Sequence, residues 1–107
     1  MPKLDLRPEW LEMVRHLLAV HLPDAEVLAY GSRVQGMSHD GSDLDLVVRN
    51  VADLTQPQSN LFELKEAFTD SNIPILVDVF DWARIPESFR EEIERRGTVL
   101  VQSGKRL

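Results

Sequence analysis

The chain has 107 residues, 43% of them hydrophobic, enough for one compact domain with one core and too few for a second substrate-binding domain. A formal charge of −6 excludes a chain-wide basic field, so no direct nucleic acid binding is expected and any phosphate must be held locally. Cysteine is absent and no apolar run approaches a membrane span, which excludes disulfides, thiolate metal sites and a spanning segment, and points to the cytoplasm.

The opening MPKLDLRPEW lacks an apolar region after its first charges, so no signal peptide is expected. Pro8 suits a first helical position, and Trp10, Leu11, Val14, Leu17, Leu18 and Leu22 recur at helical spacing until Pro23. Glu26–Tyr30 predicts a short strand running into Gly31, Arg33–Gly36 a turn of helix, and Met37–Ser42 a loop. Asp43–Arg49 alternates acids with leucines, a strand with two unlike faces. Asn60 and Glu63 resemble a capping box opening a helix with Leu61, Leu64 and Phe68 inward, closed by Asp70-Ser71-Asn72. Ile75–Phe80 is a strand interrupted only by Asp78. A last helix starts near Pro86, carries Phe89 and Ile93, and stops at Gly97. Thr98–Gln102 predicts an edge strand and Ser103–Leu107 a frayed tail. This alternation predicts an α/β or α+β domain covering residues 1–107.

Within YGSRVQGMSHDGSDLDLVV, Gly31 and Gly36 are spaced as in an ATP-binding P-loop, but Met37 stands where the motif needs its lysine. A calcium loop also fails, because Gly41 precedes two of the acids and no glutamate closes the loop in register. What remains is Gly31-Ser32, ten residues, then Asp43-Leu44-Asp45. This arrangement resembles the G-S-x10-D-x-D signature of the nucleotidyltransferase superfamily that includes DNA polymerase β. The size of the chain, with tracts such as ILVDVFDW and SFREEIERRGTVLV, is most similar to the minimal nucleotidyltransferase antitoxins that partner HEPN-domain toxins. The resemblance implies a polymerase-β-like palm, with a small mixed sheet, helices on one face and metal carboxylates on the other. It also implies that a third acid from a later strand, here Asp78, completes the site.

The chemistry suits this spacing. Asp43 and Asp45 lie two apart on a strand, so both carboxylates leave one face with α-carbons about 6.5–7 Å apart. Crowded carboxylates repel, and one must take a proton or attract a cation. Mg²⁺ prefers oxygen ligands and shares its shell with phosphates, and two ions about 3.5–4 Å apart can clamp the attacking and leaving oxygens. Gly31 lets the backbone approach a triphosphate, and the Ser32 hydroxyl and adjacent amides can donate to it. Arg33 is placed either to reach a phosphate or to form a surface ion pair. Two same-face aspartates alone could be a solvated strand face. Asp78, costly amid Ile75, Leu76, Val77, Val79 and Phe80 without a partner, favours the metal reading. Asp81 has the opposite parity and is expected to cap or turn. His39 reads as an exposed loop residue, Trp10 and Trp82 as packing anchors, and Glu91–Arg96 as a solvated helix face.

The resemblance thus implies Mg-ATP bound at Gly31, Ser32 and Arg33, with Asp43, Asp45 and Asp78 as catalytic and metal-binding residues holding two Mg²⁺ ions. AMP would pass to a tyrosine of a HEPN RNase toxin within a hetero-oligomeric complex, silencing it. The alternative is an antitoxin that acts by binding alone; a drug-modifying enzyme would need a substrate domain that this length cannot hold. Leu76 and Phe80, on the side of Asp78, and Val47, on the side of Asp43 and Asp45, are expected either to dock the partner or to be covered by the C-terminal segment.

Overall fold

Residues 3–105 are described by a computed structural model. Pro8 opens helix α1 (Pro8–His21), whose inward stripe is centred on Val14 and Leu18. Strand β1 (Glu26–Tyr30) leads through Gly31 into a single helical turn, α2 (Ser32–Gln35). Strand β2 (Leu44–Arg49), helix α3 (Leu61–Asp70) and strand β3 (Val77–Asp81) form a parallel crossover. A 3₁₀ turn at Trp82–Arg84, helix α4 (Glu87–Arg96) and strand β4 (Val99–Gln102) follow. The sheet runs β3-β2-β1-β4, with β1 antiparallel to both β2 and β4 and β2 parallel to β3. It is a mixed sheet, as expected.

Strand alternation divides the interior into two layers. Val27, Ala29, Leu44, Leu46, Val48, Val79 and Val101 face α1 and α3, where Val14, Leu18, Leu64 and Phe68 complete the larger core. The opposite face is not bare. Val47, Trp82, Ile85 and Ile93 form a second buried cluster, with Leu28, Tyr30, Phe80 and Phe89 packed against it. The expectation of helices on one face only is therefore corrected. Phe89 and Ile93, four apart on α4, supply an apolar stripe that would otherwise face water, so α4 lies on the carboxylate face of the sheet.

This placement decides the fate of the proposed docking side chains. Val47 is fully buried, and Phe80 makes an edge-to-face contact with Phe89 at 5.6 Å between ring centroids. Both belong to the small core, as the covering alternative held. Leu76 alone stays exposed, at 62%.

Other local expectations are met in part. Asn60 precedes α3, but its side chain makes no cap hydrogen bond, so the capping box is not formed. Asp81 is buried and accepts from the backbone N–H of Ala83 and Gln58, fixing the 3₁₀ turn and the loop before α3. The expected tail is tied down over its first residues: the Lys105 N–H donates to the Asp24 carbonyl at 3.0 Å. Its last two residues, 106 and 107, lie outside the described residues. Among the described residues no helix is long and apolar enough to cross a membrane.

Candidate functional site

The site begins with strand register. Tyr30 of β1 stands opposite Asp45 of β2, and Asp45 stands opposite Asp78 of β3. These three side chains form one transverse row, with strands about 4.8 Å apart. The next row on the same face is Leu28, Val47 and Phe80. One step along the sheet the surface changes from carboxylate to hydrocarbon. Phe89 and Ile93 cover the apolar row and leave the acidic row at the rim of the small core.

The electrostatics follow from this placement. Burial pushes the Asp45 carboxyl up to about 6, and the nearby charges of Asp78 and then Asp43 add to the shift. Tyr30 has its phenol driven well above its usual range by burial, with Asp45 and Asp78 contributing, so it stays neutral. Its ring meets Phe89 edge-on at 5.9 Å, which fixes one wall of the site. Among the described residues no arginine, lysine or histidine forms an ion pair with Asp43, Asp45 or Asp78. Asp43 lies just before β2 and is exposed. No group of three His, Asp or Glu side chains among the described residues is preassembled as a metal cage. The structure thus provides one close acidic pair, with a third carboxylate on the adjoining loop. Hard oxygen donors crowded without a countercharge fit Mg²⁺ well.

Gly31 closes the row from the other side. Its backbone has φ 81° and ψ −155°, a region open essentially to glycine alone. A Cβ built there would overlap the Asp45 Oδ2. The carbonyl of Gly31 accepts from the N–H groups of Val34 and Gln35, so the chain turns immediately into α2 and brings Ser32 to the mouth of the site. A cleft opens here between α2 and α4, lined by Tyr30, Gly31, Ser32, Gln35, Phe89 and Arg96.

Arg33 does not face this cleft. It is 3% exposed and directs its guanidinium toward the other side of α2. Nε donates to the Ser42 carbonyl at 3.0 Å, Nη1 to Asp5 at 2.7 Å, and Nη2 to His39 and Asp40 at 3.2 and 3.1 Å. The expectation that Arg33 reaches phosphate is corrected, because the side chain is buried and four of its five donors are spent on carbonyls. It shapes the loop that carries the chain into Asp43. His39 is exposed, and its Nδ1 accepts from the Gly41 N–H within the same loop.

Sequence reasoning placed neither Tyr30 nor Arg96 at this cleft. Tyr30 adjoins the Gly31-Ser32 pair in sequence, the one signal that could have found it; its place opposite Asp45 comes from the β1–β2 register. Arg96 could not have been found, because its position depends on which face α4 covers.

Three comparisons bear on this geometry. Residues 18–106 match the family described as "Polymerase beta, Nucleotidyltransferase". A Haemophilus influenzae protein named "Probable protein adenylyltransferase MntA" is 39% identical over 103 residues, covering 96% of this chain and 89% of that protein. The "Poly(A) RNA polymerase protein 2" of Saccharomyces cerevisiae is 26% identical over 84 residues, which is 78% of this chain but only 14% of that protein. A solved structure described as "Crystal structure of the toxin-antitoxin with AMP-PNP" shares the fold, with a TM-score of 0.68 at 19% identity over 89% of this chain and 74% of that one. The chain is a nucleotidyltransferase and belongs to the polymerase β nucleotidyltransferase family.

Proposed function

We propose that the chain is a cytoplasmic antitoxin that transfers AMP from Mg-ATP to a tyrosine hydroxyl of a HEPN RNase toxin bound to it, and that residues 1–107 act as one domain. The observation that carries this reading is the Asp45–Asp78 pair beside Gly31 and Ser32, acidic and without a countercharge among the described residues. The 39% identical relative is named a protein adenylyltransferase, and a structure of the same fold is described as a toxin–antitoxin with AMP-PNP; both favour a protein acceptor.

Asp45 and Asp78, with Asp43 from the adjoining loop, would hold two Mg²⁺ ions. Bound there, the ions supply countercharge for the triphosphate and for the departing pyrophosphate. Gly31 gives the phosphates room, and the Ser32 hydroxyl donates to one of their oxygens. The acceptor hydroxyl attacks the α-phosphorus, the bond to the β-phosphate oxygen breaks, and pyrophosphate leaves. In this reading Asp78 takes the hydroxyl proton. Tyr30, held neutral, and Phe89 form one wall beside the carboxylates.

Mass spectrometry of a co-expressed partner tests this reading. Whole AMP increments on the toxin, dependent on Mg²⁺ and lost in Asp45→Asn, are the expected outcome. A toxin neutralised equally well by Asp45→Asn, with no increment in either case, would establish neutralisation by binding alone.

A further inference from the structure

Folding withdraws Arg33 from the Gly31–Ser32 cleft and brings another cation to it. Arg96, the last residue of α4, lines this cleft, and no other lysine or arginine among the described residues does so. Its position is set from α2: Gln35 Nε2 donates to the Arg96 carbonyl at 2.7 Å. That bond joins the last turn of α4 to α2. It also occupies a C-terminal carbonyl that would otherwise turn the negative end of a helix toward an incoming anion.

The Arg96 guanidinium is largely uncommitted. Its one protein partner among the described residues is Glu92 Oε1, at 3.5 Å. Glu92 is held more closely through its other oxygen by Arg95, at 2.5 Å. With its side chain 56% exposed, Arg96 keeps most of its five donors for a ligand. A triphosphate entering here meets a chain of net charge −6 and three aspartates, so a local cation with a planar donor fork answers a definite need.

We propose that Arg96 binds the terminal phosphates of the nucleotide whose triphosphate lies at Gly31 and Ser32, and that Gln35 is its positioning residue. This rests on the reading of the site as an Mg-ATP site. In this arrangement Arg96 supplies from α4 the cation that the missing P-loop lysine would have supplied from the glycine loop itself.

Calorimetric titration of the intact protein with Mg-ATP, magnesium pyrophosphate and AMP tests the assignment. Arg96→Gln is expected to weaken Mg-ATP and pyrophosphate about tenfold while AMP affinity stays within about twofold, because AMP lacks the phosphates concerned. Arg96→Lys should recover part of the loss, and Gln35→Ala should weaken the same two ligands by a smaller factor. Arg15→Gln, on exposed α1 against the other face of the sheet, removes the same charge and should leave all three affinities within about twofold. A wild-type protein that binds Mg-ATP no better than Arg96→Gln does overturns the assignment and leaves the ATP reading standing. So does an equal loss of AMP and ATP. A wild-type protein that binds neither Mg-ATP nor pyrophosphate overturns both.

Discussion

Gly31 and Asp45 contend for the same space: a Cβ on Gly31 would clash with the Asp45 Oδ2. The glycine of the Gly-Ser pair therefore makes room for the carboxylate row, in addition to the phosphate role proposed for it. Its φ of 81° with ψ −155° adds a conformational demand that an L side chain meets only with strain. Gly31→Ala is expected to lose about 2 kcal/mol or more in urea unfolding and to displace Asp45, abolishing transfer. Gly36 is the control. It is left-handed at φ 74°, ψ 20°, and nothing lies within 4 Å of an added Cβ. Gly36→Ala should cost about 1 kcal/mol and keep the activity. Equal effects at the two glycines would show that backbone strain alone, and not the encounter with Asp45, decides the outcome.

Asp45 makes stability depend on pH in a definite direction. Its carboxyl is raised to about 6 from 3.8, so the folded state holds the proton more tightly than the unfolded chain. The resulting stability is fully present below about pH 4 and is lost as pH rises through about 6. Asp45→Asn removes this dependence. The variant should match wild type near pH 4 and exceed it by about 1 kcal/mol near pH 7 without Mg²⁺, the figure being kept small because the side chain is half exposed. Mg²⁺ should restore wild type selectively. Urea unfolding at the two pH values, with and without Mg²⁺, gives the result. An Asp45→Asn variant less stable than wild type near pH 7 without Mg²⁺ would mean that the aspartate has a structural partner.

Arg33 ties α2 to Asp5 and to the loop leading to Asp43. Arg33→Ala is expected to cost about 3 kcal/mol, since several carbonyls lose a charged donor together. Arg33→Lys should rescue little, because one ammonium cannot span carbonyls that a planar fork reaches separately. A phosphate-binding arginine would behave otherwise: its alanine variant would unfold at the wild-type urea concentration and lose only nucleotide affinity. Thermal and urea unfolding, set beside ATP titration, separate the two roles.

The elements of this fold were legible because each carries its own period or punctuation. Pro8, Gly31, Gly36 and Gly97 mark ends that the structure keeps. The acidic pair was legible only through the resemblance: parity holds within a strand, and it is the register, Asp45 opposite Asp78, that puts the two carboxylates on one face. What sequence could not supply was the second layer. Whether Phe89 and Ile93 lie on the face with α1 and α3 or on the face with the carboxylates depends on how the chain turns after Asp81. A buried aspartate holds that turn by bonding Gln58 and Ala83, residues far apart in sequence. Arg33 was misread for a related reason. Its neighbours in sequence are phosphate-binding in pattern, but its partners are carbonyls from Asp5 and from the loop at 39–42.

Phe80 leaves β3 on the same side as Asp78 and Leu76 lies just before the strand, and the two should report on different things. Phe80 meets Phe89 edge-on, and Phe89 meets Tyr30 in turn, so three rings join β3, α4 and β1 from the apolar row to the acidic one. Removing the first ring opens a gap in a small core that cannot readily close. Phe80→Ala should therefore cost about 2–3 kcal/mol and loosen Tyr30, lowering transfer through stability and not through recognition. Leu76 lies just before β3 and is 62% exposed, and its carbonyl accepts from the Leu44 N–H, so its backbone is fixed while its side chain is free. Leu76→Ala should leave unfolding within about 0.5 kcal/mol of wild type. If a protein acceptor approaches Asp78 from this end of the sheet, Leu76→Arg should slow AMP transfer to the partner while Mg-ATP affinity stays the same. The decisive comparison is transfer rate against urea midpoint for both positions. Unchanged transfer in Leu76→Arg would place the acceptor's approach elsewhere, and Phe80→Ala with wild-type stability would mean that the three-ring stack does not hold α4 to the sheet.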